Sequence, residues 1–224
     1  MVPPNDMSGR LFAGASGWGY TSWKPGWYPA DAKPADFLAI YAGRLPSVEL
    51  NTTKYRLPAE GQFASWAEQA PEGFAFAVKM PPRGLEAIAT FEERVRLLGS
   101  RLGPIRTVVP RTRDDGWLEL FLGSRDPALR YALDLRHPTW DGVEERLGQE
   151  TGVVRVGDLG APSTFRYLRF REPPYDDDAL AAIAEQVRAR LGLGEDVYAY
   201  FRHEDEPTAP RYAQRLLELV GEPS

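Results

Sequence analysis

An α/β fold is the class this sequence predicts, and three observations predict it. Eight short runs of β-branched, aromatic and small apolar residues recur along the chain. All but one are followed by a stretch with helical periodicity, the pattern of a parallel sheet covered by helices. No linker divides the 224 residues, so residues 10–221 read as one domain behind a flexible N-terminal segment, residues 1–9. Eight such repeats in one domain point to a TIM-barrel-like (β/α) barrel.

The first strand is RLFAGASG, residues 10–17, followed by an aromatic loop and a helix over residues 35–45. SVELNTTKY, residues 47–55, is the second, and Phe63, Trp66 and Ala67 mark one face of the helix after it. GFAFAVKMP, residues 73–81, is the third, with a helix predicted over residues 85–102. PIRTVVP (104–110) and LRYALDLRHP (129–138) are the fourth and fifth, followed by helices over 116–124 and 142–151. GVVRVGD (152–158) and FRYLRFR (165–171) are the sixth and seventh, and DVYAYFRH (196–203) is the eighth. Acidic residues open the helix at 177–192, as the helix macrodipole favours, and a last helix covers 210–220. Only the six residues LGAPST separate the sixth strand from the seventh, too few for a helical crossover of about a dozen. The barrel is therefore expected to be irregular around strands six and seven.

Composition narrows the function. With no cysteine, disulfides, thiolate metal sites and a cysteine nucleophile are excluded. A net charge of −5 argues against a generally basic nucleic-acid-binding surface, leaving nucleic acid as a disfavoured partner. No apolar run approaches the roughly 18 residues of a membrane helix, and the first ten residues lack a signal's apolar core. The expectation is a cytoplasmic protein without membrane contact.

Polar residues at the carboxyl ends of barrel strands mark the active face. Side chains alternate along a strand, so Glu49 and Asn51 point the same way. Lys79 is the lone charge in FAFAVKMP, Asp134 and Arg136 share a face, and His137 precedes the Pro138 that ends the ladder. Arg169 and Arg171 share a face, as do Tyr200 and Arg202. A carboxylate beside a lysine and arginines is stabilised as the ion, whereas burial pushes the other way and could tune Glu49 toward neutrality as an acid/base group; burial would lower the Lys79 pKa toward a nucleophilic amine. Arg136 supplies a fork matched to phosphate or carboxylate. The competing reading is a buried ion-pair network of Glu49, Lys79, Asp134 and Arg136. Four strands converging on one face favour a site, because burying that many charges without use is costly.

The loop at residues 16–28 holds Trp18, Tyr20, Trp23, Trp27 and Tyr28 beside Lys24. Such rings stack a flat ligand or plug the barrel mouth, and the Gly and Pro among them favour packing. Trp140 poses the same choice. Two histidines are few for a multinuclear metal site, and only an oxygen-rich Mg²⁺ or Mn²⁺ site from Glu49, Asp134 and His137 remains a weak option. No metal or cofactor is therefore assigned. Phosphate-loop, dinucleotide and nucleophile-elbow motifs are absent.

Taken together, GASGWGYTSWKPGWYP, VELNTTKYRLP, FAFAVKMP, LGPIRTVVP, DLRHPTW and VYAYF resemble the YecE-like proteins, domain of unknown function 72, over nearly the whole chain. The resemblance implies a TIM-barrel-like fold and a site drawn from Glu49, Asn51, Tyr55, Lys79, Arg136, His137 and Trp140; it implies no reaction. The chain departs from that family's pattern at Asp134, Val108, Arg171, Glu172, Arg202 and His203. The expectation is a cofactor-independent enzyme acting on an anionic, phosphorylated or carboxylated small molecule. Glu49, Lys79 and His137 would be catalytic, with Asn51, Tyr55, Asp134, Arg136, Trp140 and Trp18 binding substrate. A non-catalytic anion- or partner-binding barrel is the alternative, favoured by the departures. Nucleic-acid processing, suggested by Arg169, Arg171 and Arg202, is a third reading.

Overall fold

A computed structural model describes residues 9–51, 58–81, 85–160 and 162–221. Its strands are β1 (Leu11–Ala15), β2 (Ser47–Leu50), β3 (Ala75–Lys79), β4 (Leu102–Thr107), β5 (Tyr131–Leu133), β6 (Val153–Arg155), β7 (Phe165–Phe170) and β8 (Asp196–Phe201). The helices between and after them are α1 (Phe37–Ala42), α2 (Glu60–Gln69), α3 (Ile88–Val95), α4 (Asp115–Ser124), α5 (Glu144–Leu147), α6 (Asp177–Leu191) and α7 (Thr208–Gly221). Helix α6 starts where Asp176 accepts the Ala179 N–H at 2.9 Å, with Asp177 and Asp178 in its first turn and Arg188 and Arg190 in its last.

The result is an α/β fold with two parallel sheets, ordered β2-β3-β4-β5-β6 and β1-β8-β7. Both sheets pack their outer faces on helices: Val48, Val78 and Val197 meet Phe91, Val187 and Leu216 in one large core. Their other faces meet each other, with Phe12, Tyr167 and Tyr198 of the smaller sheet filling the space left by Ala77, Ala132 and Val154 of the larger. Large rings opposite alanines are how two facing layers reach close packing.

The sheets adjoin at two seams. At the first, the Tyr41 hydroxyl stands between β1 and β2, accepting the Ala15 N–H at 2.7 Å and donating to the Ser47 carbonyl at 3.0 Å. Nothing larger than glycine fits at Gly14, where a Cβ would lie 2.0 Å from that carbonyl oxygen. At the second seam, after β6, the Gly157 N–H donates to the Tyr167 carbonyl at 2.9 Å. This seam coincides with the short LGAPST joint, where no crossover helix could be accommodated.

Three sequence expectations need correction, the first being the helix predicted over 142–151, which shortens to the four residues Glu144–Leu147 of α5. The helix predicted over 85–102 is interrupted: α3 ends at Val95, a tighter 3₁₀ stretch follows, and Gly99 breaks it at φ 58°. Leu102 already belongs to β4. The second predicted strand ends at Leu50 among the described residues, and its Thr52–Tyr55 part lies outside them. No described helix is long and apolar enough to cross a membrane.

Candidate functional site

Strand register decides which charges can meet. Glu49 lies beside Ala77, and Lys79 is two residues further along β3, so Glu49 and Lys79 share a face. Lys79 lies beside Arg106, and Arg106 beside Ala132, two residues before Asp134. This is the face on which the two sheets meet, at the carboxyl ends of the strands.

Glu49 is at the centre and wholly buried. Its Oε1 accepts from Arg106 Nε at 2.7 Å and from the Tyr167 hydroxyl at 2.7 Å. Its Oε2 accepts from Arg169 Nε and from Asn51 Nδ2, both at 2.9 Å. Asn51 Oδ1 accepts in turn from Arg106 Nη2 at 3.1 Å. Burial pushes the Glu49 carboxyl up, but the Arg106 and Arg169 charges and the Tyr167 and Asn51 hydrogen bonds outweigh it, holding the pKa down at about 2. The expectation that burial would bring Glu49 toward neutrality is therefore corrected: four donors converge on it and keep it an anion.

Asp134 anchors a second group. It accepts from Arg106 Nη1 at 3.0 Å, from Arg136 Nη2 at 2.8 Å and from Arg171 Nη2 at 2.9 Å. Burial raises its pKa, yet the Arg136 hydrogen bond and the charges of Arg171 and Arg106 lower it to about 2. Asp134 and Arg171 thus pair with each other. Arg106 bridges the two carboxylates with a side chain only 4% exposed. Two carboxylates are met by four guanidiniums, of Arg106, Arg169, Arg136 and Arg171, which leaves two positive charges over in this described group.

Two of the four, Arg106 and Arg136, border open space. A cavity of about 470 Å³ is lined by Lys79, Arg106, Val108, Arg111, Asp134, Arg136 and His137, among others. His137 Nδ1 accepts the Thr139 N–H at 3.3 Å and lies 3.0 Å from Thr139 Oγ1, which fixes the ring at the cavity wall. Arg136 is the most accessible of the four guanidiniums, its side chain 62% exposed. No described cluster has the carboxylate, histidine or cysteine make-up of a metal site, and the oxygens of Glu49 and Asp134 already face guanidinium groups.

The other expected residues are distributed unevenly. Trp18 lies outside this cavity and lines a second one with Tyr20 and Trp66. Trp140 is fully buried, its Nε1 donating to the Pro110 carbonyl at 3.3 Å; it supports the cavity wall rather than touching a ligand there. Tyr55 lies outside the described residues. Most of the aromatic loop packs: Trp23, Trp27 and Tyr28 are buried, and Tyr28 stacks on Phe37 at 4.2 Å. Arg169 and Arg171, read from sequence as nucleic-acid contacts, are engaged by Glu49 and Asp134.

Sequence reasoning missed Arg106, Arg111 and Tyr167. Arg106 carried the signal that singled out Lys79, a lone charge inside an apolar strand, and Tyr167 precedes Arg169 on the same face of β7.

The held-down carboxylates give a pH dependence with a definite sign. A group whose folded pKa lies below its ordinary value stabilises the fold fully above that ordinary value, near 4.5 for Glu49 and 3.8 for Asp134. The contribution disappears as pH falls toward about 2. Urea unfolding of wild type and Glu49→Gln at pH 7 and at pH 3 is expected to show a stability gap that narrows in acid; an unchanged gap would contradict this.

Comparisons with known proteins agree on the family. The model of the family described as "Protein of unknown function DUF72" matches residues 12–224. In one crystal structure of a DUF72 family protein from Enterococcus faecalis V583, the match has a TM-score of 0.74 at 17% identity, covering 84% of this chain and 95% of that one. A second crystal structure of that protein gives 0.76 at 16% identity over 96% of each chain. A D-psicose 3-epimerase crystallised in the presence of D-fructose matches with a TM-score of 0.51 at 10% identity, over 76% of this chain and 80% of that one. No curated protein matches. From its family match over nearly its whole length, and from folds shared with solved members, the chain belongs to the DUF72 family of proteins of unknown function.

Proposed function

We propose that the two sheets are the arcs of one (β/α)₈ barrel, and that the cavity at its carboxyl end binds a small phosphorylated or carboxylated molecule. The barrel reading is supported by the eight parallel strands and by the facing inner surfaces of the two sheets. It is supported too by the fold likeness to the epimerase. Barrel enzymes carry their sites at this end.

The observation that carries the binding reading is the charge excess beside open space. Arg106, Arg136 and Arg171 surround Asp134, and Arg106 and Arg136 line the cavity together with Arg111 and Lys79. An oxyanion would complete the balance, and guanidinium forks match its geometry. In this reading Glu49 positions Arg106 and Arg169 instead of moving protons.

A second reading, a cofactor-independent enzyme, is favoured by one observation: His137 and Lys79, the remaining groups assigned to proton transfer or nucleophilic attack, both line the cavity. A panel of phosphoesters and carboxylic acids assayed with His137→Gln and Lys79→Ala tests it. Turnover that both variants leave unchanged would remove this mechanism.

Binding itself is tested by calorimetric titration of inorganic phosphate and of small carboxylates. Losing a charged hydrogen-bond donor costs about 1.5–3 kcal/mol, discounted at exposed Arg136, so Arg136→Ala and Lys79→Ala are each expected to weaken binding about tenfold. Added salt is expected to weaken it further. Affinity unaffected by either substitution would place the anion elsewhere.

A further inference from the structure

Beside the charged group lies a cavity of different character, about 200 Å³, bounded by Trp18, Tyr20, Trp66, Ser16 and Asn51. Its walls are rings set at angles: Trp18 and Trp66 meet edge to face at 5.4 Å, and Trp66 meets Phe63 the same way at 5.5 Å. Tyr20 is folded back by its hydroxyl, which donates to the Ser16 carbonyl at 3.1 Å. Gly17 permits this, since its φ is 118° and a Cβ there would lie 2.6 Å from that hydroxyl. His203 stacks on Tyr20 at 4.6 Å. Trp18, Tyr20 and Trp66 are half-buried, unlike the sealed Trp23 and Tyr28 of the same loop.

A hydrogen bond links the linings of the two cavities. Asn51 lines the aromatic one and hydrogen-bonds both Glu49 and Arg106, and Arg106 lines the cationic one. A molecule spanning them would place a flat apolar part among rings and a negative part among guanidiniums.

We propose that the ligand is an aromatic ring joined by a short tether to a phosphate or carboxylate, the ring seated between Trp18, Tyr20 and Trp66 and the anion among Lys79, Arg106, Arg111 and Arg136. This rests on the anion-binding reading and specifies its ligand class.

The test is a titration series: inorganic phosphate, n-alkyl phosphates, and phenylalkyl phosphates of increasing tether, with acetate and phenylalkyl carboxylates as a parallel arm. Ring stacking on aromatic side chains predicts that one phenylalkyl member binds about tenfold more tightly than the alkyl compound of equal chain length. Which head group wins separates phosphate from carboxylate. Trp66→Ala is expected to reduce the ring's advantage below about twofold, and Trp18→Leu gives a second reading of the same effect. If neither variant folds, the wild-type comparison of phenyl with alkyl decides alone. Failure of both plain anions and every tethered one overturns the anion-binding reading itself. Tight phosphate or acetate binding with no gain from a ring, or an equal gain from an alkyl chain, overturns the aromatic ligand and leaves the anion site standing.

Discussion

Glu49→Gln is expected to destabilise the protein by about 3–5 kcal/mol, because it strips a buried ion-pair group of its central anion. Arg106 and Arg169 would keep their charges with side chains only 4% and 10% exposed, and a neutral amide cannot compensate them. For a domain of this size the loss corresponds to a melting point lower by about 6–20 °C. The figure is the cost of breaking the pair, not its net worth: removing both charges, as in Glu49→Leu with Arg106→Met, is expected to cost less than the two single changes together. Arg146 hydrogen-bonds Glu119 at 2.8 Å through two nitrogens, but water competes for both groups there, so Glu119→Gln is expected to change stability little. Denaturant titration of these variants checks the contrast, and a Glu49→Gln loss below about 1 kcal/mol would contradict the buried-anchor account.

Tyr41→Phe is expected to cost about 2–4 kcal/mol although it removes a single oxygen. That hydroxyl is the partner of the Ala15 N–H and the Ser47 carbonyl, both buried where β1 and β2 adjoin. Phenylalanine fills the same space and satisfies neither, and each buried group left without a partner costs about 1–3 kcal/mol. Gly14→Ala strains the same seam by steric overlap with the Ser47 carbonyl. Amide exchange in Tyr41→Phe should accelerate first at Ala15. A uniform loss of protection across β1 and β8 instead would indicate that this hydroxyl is not what joins the sheets.

Much of this was legible in the sequence, for reasons that differ by residue. Strand positions were readable because parallel strands buried on both faces are short apolar runs, and all eight lie where those runs are. Glu49 and Lys79 stood out as charges inside such runs, and alternation placed them on one face. What alternation could not show was who would be beside them. That Arg106 bridges Glu49 and Asp134 depends on the register between β3, β4 and β5, a tertiary quantity. Hence Glu49, expected to move toward neutrality by burial alone, is instead held ionised by partners from β4 and β7. Trp140, open from the sequence between stacking a ligand and packing, and placed in the site by the family resemblance, is carried into the core by the 3₁₀ turn at Pro138–Trp140. The break in the helix after β3 was signalled by Gly99, which the surrounding helical periodicity masked.

The central claim is that the guanidiniums around Glu49 and Asp134 leave a cationic cavity fitted to a small oxyanion. A crystal structure of the protein soaked in tungstate, located by anomalous scattering, tests it most directly. The account predicts tungsten in the cavity among Lys79, Arg106, Arg111 and Arg136, with its occupancy lowered in Arg136→Ala. Tungstate bound only elsewhere, with this cavity empty at saturating concentration, would contradict it.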